Sequence, residues 1–304
     1  MRLATSTCIF PTSRDGKRTS LINSMTMCRE AGFRVIDLNF CSAINPKSDA
    51  NELCAPDWER KIDEIGNHAA KIGVTFSQSH APYDSNLWRA DRPLTDEDRA
   101  WYFESTRRSF LASGKLGVKW CVVHAQTDVL DDENSFEQNI KCNLRFYAPI
   151  VEWAHKYGCG VAIENMAEFH PMKTRQRFTA LVEEQIAIID ALNDPVAVGA
   201  CWDFGHAQMV YKDQTAPLRK LGKRLKATHV QENYGSADDH YLPFIRGNVP
   251  WEKLMPLLKE IGYEGDFTYE VHGFYRYIPD ELRVRAGQFG YEIGQYLLSL
   301  YDKA

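Results

Sequence analysis

The segment ACWDFGHAQM, residues 200–209, sets Asp203 and His206 three residues apart where an apolar run is ending. Carboxylates and imidazoles hold metal ions and move protons. Groups of the same kind stand at the ends of other short apolar runs: Ser79–His80, His124, Glu164–Asn165, His229 with Glu232, and Glu270 with His272. Asp238, Asp239 and His240 follow the run that carries His229. Taken singly, a strand histidine is usually a satisfied core residue, and a strand-end carboxylate often caps the next helix. That account weakens when it must hold at six consecutive runs. Carboxylates gathered at one buried rim repel each other and resist ionisation, and a divalent cation removes both costs. The mixed oxygen and nitrogen donors suit Zn²⁺, Mn²⁺, Fe²⁺ or Co²⁺, with Mg²⁺ a further candidate.

The runs that position these groups are short and rich in β-branched residues: 2–7, 33–40, 74–80, 119–125, 160–165, 196–204, 226–233 and 266–273. They are apolar without strict alternation, as parallel strands buried on both faces are. Longer amphipathic segments lie between them. DWERKIDEIGNHAAKIG closes on Gly73, and TDEDRAWYFESTRRSFLASGKLG opens on Thr95 with acids. Such hydroxyl, acid and glycine signals mark helix starts and stops. TRQRFTALVEEQIAIIDAL (174–192) and PDELRVRAGQFGYEIGQYLLSL (279–300) read as helices in the same way. Eight strand–helix units predict an α/β fold, a (β/α)₈ barrel in one domain over 1–304 with its active site at the strand C-terminal ends. The competing doubly wound sheet normally carries a glycine-rich phosphate loop after its first strand, and STCIFPTSRDG has none.

The 304 residues carry a net charge of −5 with 25% charged residues. This mild acidity speaks against a broad nucleic-acid or membrane surface. The basic cluster KLGKRLK (220–226) reads as a solvated helix end, and no GxSxG turn offers a serine nucleophile. The eight cysteines form no CxxC pair and read as reduced thiols, so a cytoplasmic protein is expected. The N-terminal MRLATSTCIF lacks the apolar core of a signal peptide, and no run is long enough to span a membrane.

SHAPYDSN (79–86), VVHAQ (122–126), AIEN (162–165), WDFGHA (202–207), THVQEN (228–233), DDHYLPFIRGNVPW (238–251) and YEVHG (269–273) follow one another in order. In this the chain resembles the xylose-isomerase-like TIM barrels, over nearly its whole length. That group includes sugar and sugar-phosphate isomerases and epimerases, some sugar dehydratases, and the endonuclease IV type of DNA repair enzyme. The resemblance to the sugar epimerases implies one metal held by Glu164, Asp203, His229 and Glu270, with His206 contacting substrate. The resemblance to endonuclease IV implies five further ligands for a three-zinc site: His80 and His124 beside Glu164, and His206, Asp238 and His240. The sugar branch usually reads LPGxGxxxW where this chain has LPFIRGNVPW. Arg246 therefore becomes a candidate for a substrate phosphate or carboxylate. Aromatic residues after strands one and two commonly line the pocket in this family, which nominates Phe10 and Phe40. Tyr83, Trp88, Trp202 and Tyr234 are further aromatics near the rim.

The favoured expectation is a metal-dependent sugar or sugar-phosphate isomerase or epimerase. It would work by proton transfer through an enediolate, with Glu164 and Glu270 as the acid–base pair. Return of the proton to the same carbon epimerises it, return to the neighbouring carbon isomerises the sugar, and loss of a β-hydroxyl dehydrates it. The alternatives are a sugar or inosose-type dehydratase, a trinuclear zinc phosphodiesterase, and a sugar- or metal-binding barrel without turnover. The last helix, with Tyr291, Ile293 and Leu297, could pack on its own barrel or on a second copy.

Overall fold

The computed structural model describes residues 1–10, 12, 13, 16–83, 94–128, 135–167 and 177–304. The chain builds β1 (Leu3–Ser6), α1 (Leu21–Glu30), β2 (Val35–Asn39), α2 (Trp58–Ile72), β3 (Thr75–His80) and α3 (Asp96–Lys115). It continues through β4 (Trp120–His124), α4 (Ser135–Tyr157), β5 (Gly160–Glu164), α5 (Val182–Leu192) and β6 (Val198–Asp203). Two short helices, α6 (Phe204–Val210) and α7 (Thr215–Leu221), precede β7 (Leu225–His229). Then come α8 (Trp251–Glu260), β8 (Phe267–Tyr269), α9 (His272–Tyr275) and α10 (Asp280–Lys303). Neighbouring strands pair in parallel in the order β8-β1-β2-β3-β4-β5-β6-β7. The ring closes through Val230, whose N–H donates to Thr268 O at 2.8 Å and whose carbonyl accepts from Glu270 N at 3.0 Å. This is the TIM barrel that the alternating strand and helix signals called for.

Alternation along each strand sorts the side chains into two layers. Cys121, Val123, Val161, Ile163, Ala200 and Trp202 face outward into the large core beneath the helices. Val122, Ala162, Cys201 and Ala227 form a separate small cluster in the lumen. Two residues further along each strand, the same inward face carries His124, Glu164, Asp203 and His229. Small lumen residues thus floor a layer of titratable groups. Gln78 braces the other side of the lumen, donating to Thr228 O at 3.3 Å and accepting from Thr268 Oγ1 at 3.2 Å.

The helix signals act where the sequence placed them. Thr95 caps α3 by accepting from Asp98 N at 3.1 Å, and Gly73 ends α2 in the left-handed region at φ 69°. One element is shorter than expected. The helix read over 174–192 begins only at Val182 in the described part of that span. Thr179 has φ 75°, and Glu184 Oε2 accepts from the N–H groups of Thr179 (2.9 Å) and Leu181 (3.1 Å). The acid therefore stops the helix from running back through FTA by taking its first free donors. At the other boundary of interest, the strand read to Phe204 ends at Asp203, which becomes the N-cap of α6.

Candidate functional site

The inward residues at the strand ends meet around Glu164. Its Oε1 lies 2.8 Å from His229 Nδ1 and 3.5 Å from His206 Nδ1. Its Oε2 lies 2.8 Å from His124 Nε2 and 3.4 Å from His80 Nε2. Glu270 Oε2 is 3.3 Å from the same His229 nitrogen. One ligand atom each from Glu164, Asp203, His229 and Glu270 lies within 4.8 Å of the others, and all four residues are buried. Asp203 Oδ1 accepts from His206 N at 2.7 Å, while Asp203 Oδ2 is buried with no hydrogen bond among the described residues, His206 Nδ1 lying 3.7 Å away. A buried, unpartnered carboxylate oxygen facing two more carboxylates is the arrangement a divalent cation satisfies. The residues present therefore fit such an ion, with Glu164, Asp203, His229 and Glu270 as its holders.

Burial alone would push Glu164 and Glu270 up, but the facing histidines outweigh it. His229 and His124 hold Glu164 well below the usual carboxylate range, and His229 and His240 hold Glu270 below it. Asp203 goes the other way, to about 6, through burial and the nearby Glu164 and Asp238. Burial opposes charging of His229 too, yet Cys201, Glu270 and Glu164 raise it well above 6.5. His80 and His206 are raised in the same way, whereas burial lowers His124 to about 4.

A second group stands beside the first. Asp238 lies between His206 Nε2 at 3.3 Å and His240 Nε2 at 3.1 Å. Both rings are oriented from behind by backbone carbonyls: His206 Nδ1 is 2.9 Å from Asn165 O, and His240 Nδ1 is 2.7 Å from Glu270 O. A donated Nδ1–H at each leaves Nε2 facing the carboxylate. Gln231 Nε2 donates to Asp238 Oδ1 at 2.6 Å. Residue 205 must be glycine for this packing, because a Cβ there would come 2.0 Å from the Gln231 amide carbon. The structure thus brings together His80, His124, Glu164, Asp203, His206, His229, Asp238, His240 and Glu270 from six strand ends.

His80, His124, Glu164, His206, Asp238, His240 and Glu270 line a cavity of about 960 Å³, with Asp203 and His229 beneath its surface. Tyr83 lines it and stacks on His124 at 4.6 Å. Other nominated side chains lie elsewhere. Phe10 is fully buried edge-on against Tyr275 at 5.0 Å, and Phe40 is fully buried in the core; neither lines the cavity. Both point outward from the barrel axis, so they pack under the helices. Arg246 is exposed on the surface, its guanidinium 4.8 Å above the Tyr241 ring and bonded to that hydroxyl at 3.1 Å. Trp202 is buried with its indole N–H on Gln214 Oε1 at 3.1 Å, and Tyr234 is exposed away from the cavity lining. Trp88 lies outside the described residues. The sequence reading passed over Asp37, Cys8 and Gln231. Asp37 is buried beside this ring on β2 and pushed up to about 6 by burial. Its one available signal was a lone acid inside the apolar run FRVIDLNF. Cys8, on the cavity wall, has its thiol 3.8 Å from Glu270 Oε1.

Glu232, whose carboxyl burial raises, ties down the segment after β7. Its Oε2 accepts from Phe244 N and Trp251 Nε1, both at 2.7 Å, and its Oε1 accepts from Val249 N at 2.8 Å. The segment it holds carries three non-glycine residues in the left-handed region: His240 (φ 53°), Phe244 (φ 67°) and Arg246 (φ 55°). Conformations of this kind persist only where surrounding bonds enforce them. Glu232→Gln turns an amide N–H₂ toward donors and should cost about 1–3 kcal/mol. The expected result is a lower thermal midpoint and faster hydrogen exchange at Phe244 and Val249. Unchanged exchange at both amides would show that the segment holds itself.

A parallel eight-stranded barrel with this acid and imidazole ring at its strand C-terminal ends defines a recognisable class. The chain belongs to the xylose isomerase-like TIM barrel family, whose model matches residues 25–288. A curated relative, the D-psicose 3-epimerase of Ruminiclostridium cellulolyticum, is 23% identical over 69% of this chain and 68% of its own. A solved D-tagatose 3-epimerase-like protein superposes with a TM-score of 0.71 at 20% identity, covering 100% of this chain and 99% of the other. The IolI protein, solved with a binding zinc atom, superposes with a TM-score of 0.69 at 15% identity, covering 100% and 99%. Further solved structures with this fold include a D-psicose 3-epimerase and an L-ribulose 3-epimerase. No helix among the described residues is long and apolar enough to cross a membrane.

Proposed function

We propose that this protein is a divalent-metal-dependent sugar or sugar-phosphate isomerase or epimerase that transfers a proton at the carbon beside a carbonyl, with Glu164 and Glu270 as its acid–base pair. One observation carries the reading: two buried carboxylates face a single cavity and share the same His229 nitrogen, at 2.8 and 3.3 Å. A cation held by Glu164, Asp203, His229 and Glu270 would supply Lewis acidity for the carbonyl and adjacent hydroxyl oxygens of the substrate.

The protein groups do the proton work. Glu270 Oε2 faces the ring, whereas its Oε1 meets the weak Cys8 thiol donor at 3.8 Å. That oxygen serves as the base in this reading, its basicity tempered by the facing His229 and His240. In this reading Glu164, contacted by four histidines, acts on the opposite side of the reacting carbon. His206 and His240, raised by the acids around them despite burial, hold the Asp238 carboxylate between them on the cavity wall.

The test is a panel of ketoses in D₂O with metal-loaded protein, followed by proton NMR. Deuterium should enter at the carbon next to the carbonyl for at least one sugar. A second reading, a trinuclear zinc phosphodiesterase, draws on the Asp238 group with its two oriented imidazoles and on His80 and His124 beside Glu164. Metal content separates the two. About one tight ion per chain supports proton transfer, and three zinc ions with cleavage of abasic DNA would replace it.

A further inference from the structure

The cavity is much larger than the ring of titratable groups needs. Its volume of about 960 Å³ is at the top of the range for sites that hold drug-sized ligands, roughly 300–1,000 Å³. The excess lies to one side. From His80 and Glu164 the space continues between the loop after β2 and the start of α3, past Asn45, Glu52 and Trp101, to Arg18, Lys47 and Asp98 at the rim. We propose that this arm is a second sugar subsite, so that the substrate is a keto sugar bearing a second glycosyl unit. The inference rests on the proton-transfer reading of the ring for what happens to the first sugar.

Three features of the arm define its occupant. Trp101 is braced as a platform: the Arg108 guanidinium lies 5.1 Å from its ring centroid. Arg108 is itself fixed by Glu104 at 2.9 Å and by Leu53 O at 2.8 Å. A rigid indole on a cavity wall suits the apolar C–H face of a pyranose. The charged groups come in both signs, Arg18 and Lys47 against Glu52 and Asp98, which favours a neutral polyhydroxyl group over a phosphate or a carboxylate. Finally, the arm's floor is held in place, since Glu52 Oε1 accepts from Leu21 N at 2.9 Å and ties the β2 loop to the start of α1.

The experiment uses metal-loaded protein and two ketoses that share a reacting half: a free ketohexose, and the same ketohexose carrying an O-linked hexose. Deuterium incorporation gives kcat/KM for each. The disaccharide ketose should be at least about tenfold better, and Trp101→Ala should lower its kcat/KM at least about fivefold more than that of the ketohexose. Calorimetry with unreactive alditols, a hexitol against a glycosyl-hexitol, gives the same comparison without chemistry. Equal or better turnover of the bare or phosphorylated ketohexose, with Trp101→Ala lowering both substrates alike, overturns the subsite. Exchange into no sugar, with the glycosyl-hexitol still bound about tenfold more tightly in a Trp101-dependent way, keeps the subsite and removes the proton-transfer reading.

Discussion

Glu270→Gln should reduce deuterium exchange into the substrate by about 10³-fold, within the 10²–10⁴ range of a positioned general acid or base. The loss should fall on kcat, with KM changed no more than about threefold. The substitution keeps an oxygen on the ring side but leaves no carboxylate to accept a proton. Bound metal should remain close to the wild-type content, because Glu164, Asp203 and His229 are untouched. Glu164→Gln makes the informative contrast. Glu164 touches His80, His124, His206 and His229. Its amide would confront imidazoles with one oxygen fewer and without the charge that raises them. Both metal content and exchange should then fall together. Wild-type turnover in the Glu270 variant would sink its role as a proton carrier. Loss of metal in that variant would make it a ligand first.

Stripping the metal should abolish exchange and lower the thermal midpoint, and the size of that drop should grow with pH. The sign follows from His229. Its neighbours raise it well above 6.5 in the metal-free protein, so its charged form contributes stability below 6.5. That contribution is lost as the pH rises through the folded value. His240, raised to about 9 chiefly by Asp238 against the opposing effect of burial, behaves in the same way. The metal-free protein therefore loses ion-pair stability from about pH 6.5 to 9. Over the same range the imidazole gives up the proton that competes with the cation, so metal affinity rises. At 100-fold excess over Kd a bound ion stabilises by about 2.7 kcal/mol, or roughly 5 °C for a chain of this size. The gap between metal-loaded and metal-free midpoints should be smallest near pH 6 and should widen toward pH 9. Calorimetry in buffers of different ionisation enthalpy should detect proton release on metal uptake. A gap that is flat with pH, with no proton released, would mean that the ring does not exchange protons for a cation.

Much of this was legible in the sequence because the strand period is short and strict. With side chains alternating sides, Ala162 in the lumen forces Glu164 inward, Cys201 forces Asp203 inward, and Ala227 forces His229 inward. A barrel then has to bring the inward residues of all its strands to one rim, so a linear list of acids and imidazoles becomes a ring. The helix starts at Thr95 and the stop at Gly73 were equally local, since each depends on one side chain or one backbone conformation. Where a local rule competed with a tertiary one, the reading slipped. FTA continued a helical pattern, but Glu184 bonded the free donors of Thr179 and Leu181 and ended the helix there.

Local pattern decided the fold and the inward set; loop paths decided the rest. Phe10, Phe40 and Arg246 follow strands or lie in a loop, where no period says which way a side chain turns. The first two went into the core, and Arg246 went onto Tyr241 at the surface. Conversely, Trp101 reads as one more aromatic on an amphipathic helix. It becomes a cavity wall only because the β2 loop, the start of α1 and the start of α3, distant in sequence, converge beside the ring. Asp203 and His206 show both limits at once. The strand period alone placed Asp203 on the inner face. The ligand-like setting of His206 came from Asn165 behind it and Asp238 in front, contacts 41 and 32 residues away in sequence that only the closed barrel supplies.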